Sequence, residues 1–180
     1  MVYPNAHFKK VEEITIEFLR KNKINALILD VDNTLIDIDR KLSKSVINWS
    51  NNLKANGIKL IILSNTNHIE KVEKVAKTLG IEYQNFAKKP FKKGFFKAQK
   101  DLKEKPENIA VVGDQIFTDV VGGNRCDMFT ILVEPIDCRD YWYTAWKRPI
   151  EDLVKKRYKK RKWWRRNNKC ILMMYILHFF

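Results

Sequence analysis

The segment Asp30-Val31-Asp32-Asn33-Thr34 holds two carboxylates two positions apart. In extended backbone, side chains at that spacing point the same way. One of the pair can attack phosphorus while the other shuttles a proton. Farther along come Ser64-Asn65, then Lys88-Lys89-Pro90, then Gly113-Asp114, with Asp119 five positions beyond Asp114. A lysine and a hydroxyl can hold the oxygens of a phosphate. Carboxylates brought together repel unless a cation lies between them, and a hard cation with oxygen ligands, Mg²⁺, suits that place. Such a cation also screens phosphate charge from an attacking anion. The chemistry open to this set is phosphoryl transfer, provided that the fold gathers it.

The surrounding pattern provides for that. Short continuous apolar runs, Ala26 to Leu29, Leu60 to Leu63, Ile109 to Val112 and Ile131 to Val133, are expected as buried parallel strands. Ile81 to Phe86 is a weaker strand candidate, with Glu82 and Gln84 alternating with larger residues. Amphipathic stretches lie between the runs. Val46, Trp49, Ser50 and Leu53 recur at helical spacing, with Ser43 as N-cap and Gly57 just past the end. Ile69, Val72, Val75, Ala76 and Leu79 form a second stripe, with Asn67 and Glu70 at capping-box spacing and Gly80 as the stop. Phe95, Phe96, Gln99 and Leu102 predict a third helix, closed off by Pro106, and Val11, Ile14, Phe18 and Leu19 predict one before the first strand. Strand and helix in alternation imply a three-layer α/β domain with a mostly parallel sheet. In such sheets ligands bind at the carboxyl ends of the strands, where strand order reverses. Each of the polar groups above follows the end of a run.

These residues resemble a known pattern. Asp30-Val31-Asp32-Asn33-Thr34-Leu35, Ser64, Lys89 and Gly113-Asp114-Gln115-Ile116-Phe117-Thr118-Asp119 are similar, in order, to the four motifs of phosphatases of the haloacid dehalogenase (HAD) superfamily. The match spans roughly Ile24 to Pro135. DxDNTL, SN, KKP and GDQxxTD together resemble the YqeG-type group, subclass IIIA, which includes mitochondrial phosphatidylglycerophosphate phosphatases. The leading helix and Thr144 to Glu151 also look like that group; the chain after about Lys160 does not.

The resemblance implies a HAD-like Rossmannoid fold and a role for each position. Asp30 would be the nucleophile and form an aspartyl-phosphate. Asp32 would protonate the leaving alcohol and then activate water. Asp30, the backbone carbonyl of Asp32, and Asp114 would bind Mg²⁺. Asp119 would support the metal shell directly or through Lys89. Ser64 and the backbone N–H of Asn65 would bind phosphate, and Thr34 would hold the turn after the nucleophile. Of the two adjacent lysines only one can reach the site, and Lys89 directly precedes proline, as the lysine of the family does. The second aspartate sets this pattern apart from the dehalogenase branch.

Each group also has a plainer reading. Asp30 and Asp32 could cap the following segment, Ser64 could be a helix N-cap, and Asp119 could be a structural hydrogen-bonder. His7, His68 and His178 show no ligand spacing, and Tyr143, Trp142 and Trp146 read as packing residues. Cys126, Cys138 and Cys170 are scattered and odd in number, so neither a disulfide framework nor a zinc site is indicated, and a reducing compartment fits. No long apolar run follows the first basic residues, so no signal peptide is expected.

A chain of 180 residues, 45% hydrophobic and poor in Gly and Pro, has the composition of one globular domain. Its net charge of +14 is concentrated: ten Lys and Arg lie between Lys155 and Lys169 with no acid among them, which leaves +4 elsewhere. We therefore expect a phosphatase domain over residues 1–150 and a basic, aromatic-containing tail over 151–180. Trp163 and Trp164 among the cations, followed by the apolar run Cys170 to Phe180, resemble an interfacial membrane anchor too short to span a bilayer. Lys and Arg with Trp would also suit nucleic acid. The chain between Asp32 and Ser64 has room for one helix and a short flap, about Ile36 to Leu42, so no large cap domain is expected. The expected activity is Mg²⁺-dependent hydrolysis of a phosphomonoester, with phosphatidylglycerophosphate as substrate, in the cytoplasm and peripherally at the inner membrane surface. The rival readings are a phosphatase of soluble sugar or nucleotide phosphates, and a basic RNA- or ribosome-associated protein on the same scaffold.

Overall fold

The computed structural model describes residues 2–137; Cys138, Trp142, Tyr143, Trp146, His178 and the basic tail lie outside the described residues. Six strands form one sheet: β1 (Ala6–Phe8), β2 (Ala26–Leu29), β3 (Lys59–Leu63), β4 (Glu82–Gln84), β5 (Ile109–Gly113) and β6 (Phe129–Val133). Their order is β1-β6-β5-β2-β3-β4, and every pairing is parallel. The helices are α1 (Ile16–Lys21), α2 (Lys44–Ala55), α3 (Ile69–Leu79), α4 (Lys92–Leu102) and α5 (Val121–Arg125).

The chain steps from β2 to β3 to β4 in one direction, then returns across the sheet to β5 and continues to β6. Right-handed crossovers taken in opposite directions place their helices on opposite faces. The core divides accordingly. Leu27, Leu29, Leu60, Ile62, Ala110 and Val112 pack with buried residues of α1, α2 and α3, among them Leu19, Trp49, Leu53, Val72 and Leu79. The alternate strand residues Ala26, Ile28, Ile61, Leu63, Ile109 and Val111 pack with Phe95, Ala98 and Leu102 of α4. Connections leave the ends of β2 and β5 toward opposite edges, so the crevice of a doubly wound sheet falls between these two neighbours. Asp30 and Asp114 are the residues that follow them.

Several expectations need adjustment. The leading helix is interrupted: Val11–Glu13 is a 3₁₀ turn, and α1 begins only after Thr15, whose hydroxyl accepts the Phe18 N–H at 3.2 Å. Edge strand β1, three residues long, was not anticipated. Ser43 does cap α2, accepting the Val46 N–H at 3.2 Å. The capping box at Asn67 and Glu70 does not form. α3 starts after His68 without a side-chain cap, and the Thr66 hydroxyl accepts the His68 N–H at 3.3 Å. Gly80 stops α3 in the left-handed conformation at φ +61°, where glycine alone carries no Cβ penalty. On α4 Phe95 is buried as expected, but Phe96 is exposed.

Between β2 and α2 the chain makes a short flap. Ile36 bridges Asp32 on one side and Leu42 on the other, with Arg40 at φ +63° at the tip. Among the described residues there is no inserted cap domain, and no helix is long and apolar enough to cross a membrane.

Candidate active site

β2 ends at Leu29, and its sheet pairing continues one residue further, with the Asp30 N–H donating to the Val112 carbonyl at 2.9 Å. This pins the Asp30 backbone to β5 and fixes where its side chain emerges. The chain then turns: the Leu35 N–H returns to the Val31 carbonyl at 3.0 Å, and Asn33 takes φ +58°, a conformation that Asn tolerates better than most residues. The buried Thr34 hydroxyl lies 3.5 Å from Asp30 Oδ2. Thr34 thus faces the carboxylate from within its own turn.

Lys89 crosses to Asp30 from the β4–α4 connection. Its Nζ donates to Asp30 Oδ1 at 2.5 Å and to Asp119 Oδ1 at 2.6 Å. Lys88, its neighbour, is exposed. Only one of the two adjacent lysines enters the site, and it is the one before proline. The Asn65 side chain holds the Lys89 main chain from both sides. Its Nδ2 donates to the Lys89 carbonyl at 3.0 Å, and its Oδ1 accepts the Lys89 N–H at 2.7 Å. The sequence reading assigned Asn65 only a backbone N–H, and this clasp was missed. Ser64 is buried at the end of β3, and its hydroxyl accepts the Thr66 N–H at 3.1 Å. It does not cap α3, which begins at Ile69.

Asp119 lies in the π-helical turn Ile116–Val120. Its Oδ2 accepts from the Gln115 N–H at 3.3 Å and the Thr118 hydroxyl at 3.2 Å. Gly113 makes room for it: a Cβ on Gly113 would stand 2.3 Å from Asp119 Cγ. That distance explains why Asp114 follows a glycine.

Asp30, Asp114 and Asp119 are all buried, and one oxygen of each lies within 4.8 Å of the others. Burial pushes the Asp30 carboxyl up to about 7, against the pull of Lys89 and with the repulsion of Asp119 added. For Lys89, burial favours the neutral amine, but the Asp119 and Asp30 carboxylates outweigh it and hold the ammonium well above its usual range. Among the described residues three buried carboxylates thus meet one buried ammonium. An all-oxygen donor set with surplus negative charge fits a hard divalent cation such as Mg²⁺. Asp30, Asp114 and Asp119 are the side chains that would hold it. The sequence reading had Asp119 as a support; the geometry puts its carboxylate in the same cluster as the other two.

The Asp32 side chain lies apart from that cluster. Its Oδ1 is hydrogen-bonded by the ammonium of Lys71, from the first turn of α3. The Lys71 side chain is only 7% exposed, and that of Asp32 33%. Lys71 was not singled out in the sequence, because on a helix with Lys74 and Lys77 it reads as part of a solvated face.

Comparison with known proteins gives a consistent picture. The family model described as "Mitochondrial PGP phosphatase" matches residues 1–137. A protein of Bacillus subtilis (strain 168), described as "Probable phosphatase YqeG", is 36% identical over 159 residues, covering 88% of this chain and 92% of that protein. Among solved structures, a predicted HAD-like family hydrolase from Porphyromonas gingivalis superimposes with a TM-score of 0.53 at 14% identity, covering 71% of this chain and 98% of the other. An uncharacterized protein from Listeria monocytogenes serotype 4b gives 0.52 at 18% identity, over 74% and 99%. At these identities the structural likeness shows the fold alone.

Proposed function

Because the chain belongs to the mitochondrial PGP phosphatase family of YqeG-type HAD phosphatases, we propose that it hydrolyses phosphatidylglycerophosphate at its terminal phosphate. In this reading Asp30 attacks phosphorus, and the bond from phosphorus to the glycerol oxygen breaks as Asp32 protonates that oxygen. Water then attacks the aspartyl-phosphate, giving its proton to Asp32, and phosphate leaves with Asp30 restored. Lys89 keeps Asp30 oriented and offers positive charge to the phosphate oxygens, beside the Ser64 hydroxyl and the Asn65 N–H. Asp30, Asp114, Asp119 and the Asp32 carbonyl would hold Mg²⁺, which would supply charge screening and keep Asp30 ionised.

The observation that carries the phosphatase reading is the Lys89 ammonium lying between two carboxylates at the sheet crevice. Support for a lipid substrate comes from the rim. Phe86 is 52% exposed and Phe91 63% exposed, on the same connection that supplies Lys89. Lys88, Lys92 and Lys93 beside them are exposed too. Aromatic rings among cations suit an anionic membrane surface. The basic tail would add to that attraction, each cation contributing about 1 kcal/mol near the surface.

The test compares Mg²⁺-dependent phosphate release from phosphatidylglycerophosphate in vesicles with release from soluble sugar and nucleotide phosphates. Preference for the lipid is expected. Deleting Lys155 to Phe180 should weaken vesicle binding and lipid hydrolysis together and leave soluble hydrolysis nearly unchanged. Good turnover of a sugar or nucleotide phosphate with none of the lipid would leave only the phosphatase assignment standing.

A further inference from the structure

Lys89 reaches Asp30 and Asp119 from a connection whose backbone does not follow local preference. Phe86 and Lys88 both lie at φ +50°, in the left-handed region that residues other than glycine enter at a cost. Such residues persist only where the surrounding structure over-determines them. Before Lys89 the connection is tied to the end of β3, where the Ala87 N–H donates to the Ser64 carbonyl at 3.1 Å. After it, Arg125 Nη1 donates to the Pro90 carbonyl at 3.3 Å. Between these anchors stand the N–H and the carbonyl of Lys89 itself. One side-chain amide, that of Asn65, takes both, at 2.7 and 3.0 Å.

Asn65 is exposed. Water can therefore replace either bond, and loss of the amide costs little stability. Water cannot supply the geometry. An amide that grips the N–H and the carbonyl of one residue fixes the base of its side chain. The Lys89 side chain is 3% exposed, and its Nζ must meet two carboxylate oxygens at once, at 2.5 and 2.6 Å. A side chain packed that closely has few other rotamers with which to absorb a shift of its base.

We infer that the Asn65 side chain is a positioning residue, acting through the Lys89 main chain to keep the ammonium on Asp30. The inference rests on the phosphatase reading of Asp30 and Lys89. It is separate from the phosphate contact of the Asn65 backbone N–H, because that N–H survives any change of side chain.

The test uses the full chain, with Asn65→Ala compared with wild type and with Asn67→Ala, a change two residues away on the same connection. Three quantities are measured: turnover of an aryl phosphate with Mg²⁺, the melting temperature, and the ¹⁵N-resolved resonance of the Lys89 ammonium. Buried, hydrogen-bonded ammonium protons exchange with water slowly enough to be observed, and Lys89→Arg identifies the signal by removing it. Asn65→Ala should lower kcat/KM by about tenfold to a hundredfold, the effect of misplacing a reacting group by about 1 Å. Its melting temperature should fall by no more than about 5 °C, the effect of a hydrogen bond that water can replace. The Lys89 resonance should shift or broaden away. Asn67→Ala should keep the resonance and stay within about twofold of wild-type turnover. An Asn65→Ala protein that retains both turnover and resonance would overturn the inference. So would lost turnover with the resonance intact, which would put the Asn65 side chain on the substrate instead. A much larger fall in melting temperature would assign Asn65 to fold stability. Absence of aryl phosphate turnover by the wild type is a distinct result: it removes the phosphatase reading, and the catalytic role of Asn65 with it, whatever the resonance shows.

Discussion

The Lys71 ammonium donates a hydrogen bond to the Asp32 carboxylate across 39 residues of sequence, tying the first turn of α3 to the turn that follows β2. The Asp30 carboxylate, two residues away, is held instead by Lys89. Two carboxylates that leave one segment together are thus held by two lysines from different elements, Lys71 of α3 and Lys89 of the β4–α4 connection. That arrangement suits two roles, nucleophile and proton carrier.

Lys71 is expected to orient the Asp32 carboxylate without touching the phosphorus. Lys71→Met should lower kcat by about tenfold to a hundredfold, less than the 10²–10⁴ attached to acid–base catalysis itself, with little change in KM for an aryl phosphate. Lys71→Arg should recover part of the loss. An unchanged kcat would show that the contact has no part in proton transfer.

Gly113 is expected to admit no side chain. Gly113→Ala would press a methyl group against Asp119, and either Asp119 or β5 must shift. A stability loss of about 1–3 kcal/mol is expected from the overpacking, together with weaker metal dependence of activity. Calorimetry with a Mg²⁺ titration of activity checks both. A variant as stable and as easily saturated by Mg²⁺ as the wild type would contradict the account.

The raised Asp30 carboxyl sets a pH dependence. In the metal-free protein burial lifts it to about 7 from 3.8. A group raised on folding stabilises fully below its unfolded value, and that contribution is lost as pH rises through the folded value. The melting temperature of metal-free wild type, measured against Asp30→Asn, should therefore fall between these two values. Mg²⁺ should raise it more at about pH 8 than at about pH 6, because a ligand carboxylate must first lose its proton. A difference that stays flat with pH would place the perturbed group elsewhere.

Much of this site was legible because its residues follow strands that are themselves easy to read. Ala26 to Leu29 and Ile109 to Val112 are buried on both faces, so the chemistry at Asp30 and Asp114 stands at the abrupt end of each apolar run. β1 was missed because three residues carry no periodicity, and its partner β6 lies more than a hundred residues away. Asn67 misled because its spacing to Glu70 is only a local signal, and α3 begins one residue later than that spacing implies, after His68. Lys71 could not be found from helix pattern alone: its burial depends on the flap turn bringing Asp32 over α3.

Turnover should fail in Asp30→Asn while the fold and Mg²⁺-dependent binding of a phosphate analogue persist. Asp32→Asn should slow both formation and hydrolysis of the intermediate, each by roughly 10²–10⁴. Chelation should stop the wild type, and Mg²⁺ should restore it.

The central claim is that the phosphoryl group passes through Asp30. It is tested most directly by quenching the enzyme during turnover, reducing any acyl phosphate with labelled borohydride and locating the label by peptide mass spectrometry. The account predicts homoserine in place of aspartate at position 30, dependent on substrate and Mg²⁺ and absent from Asp30→Asn. Steady turnover with no reducible acyl phosphate, or with the label on another residue, would contradict it.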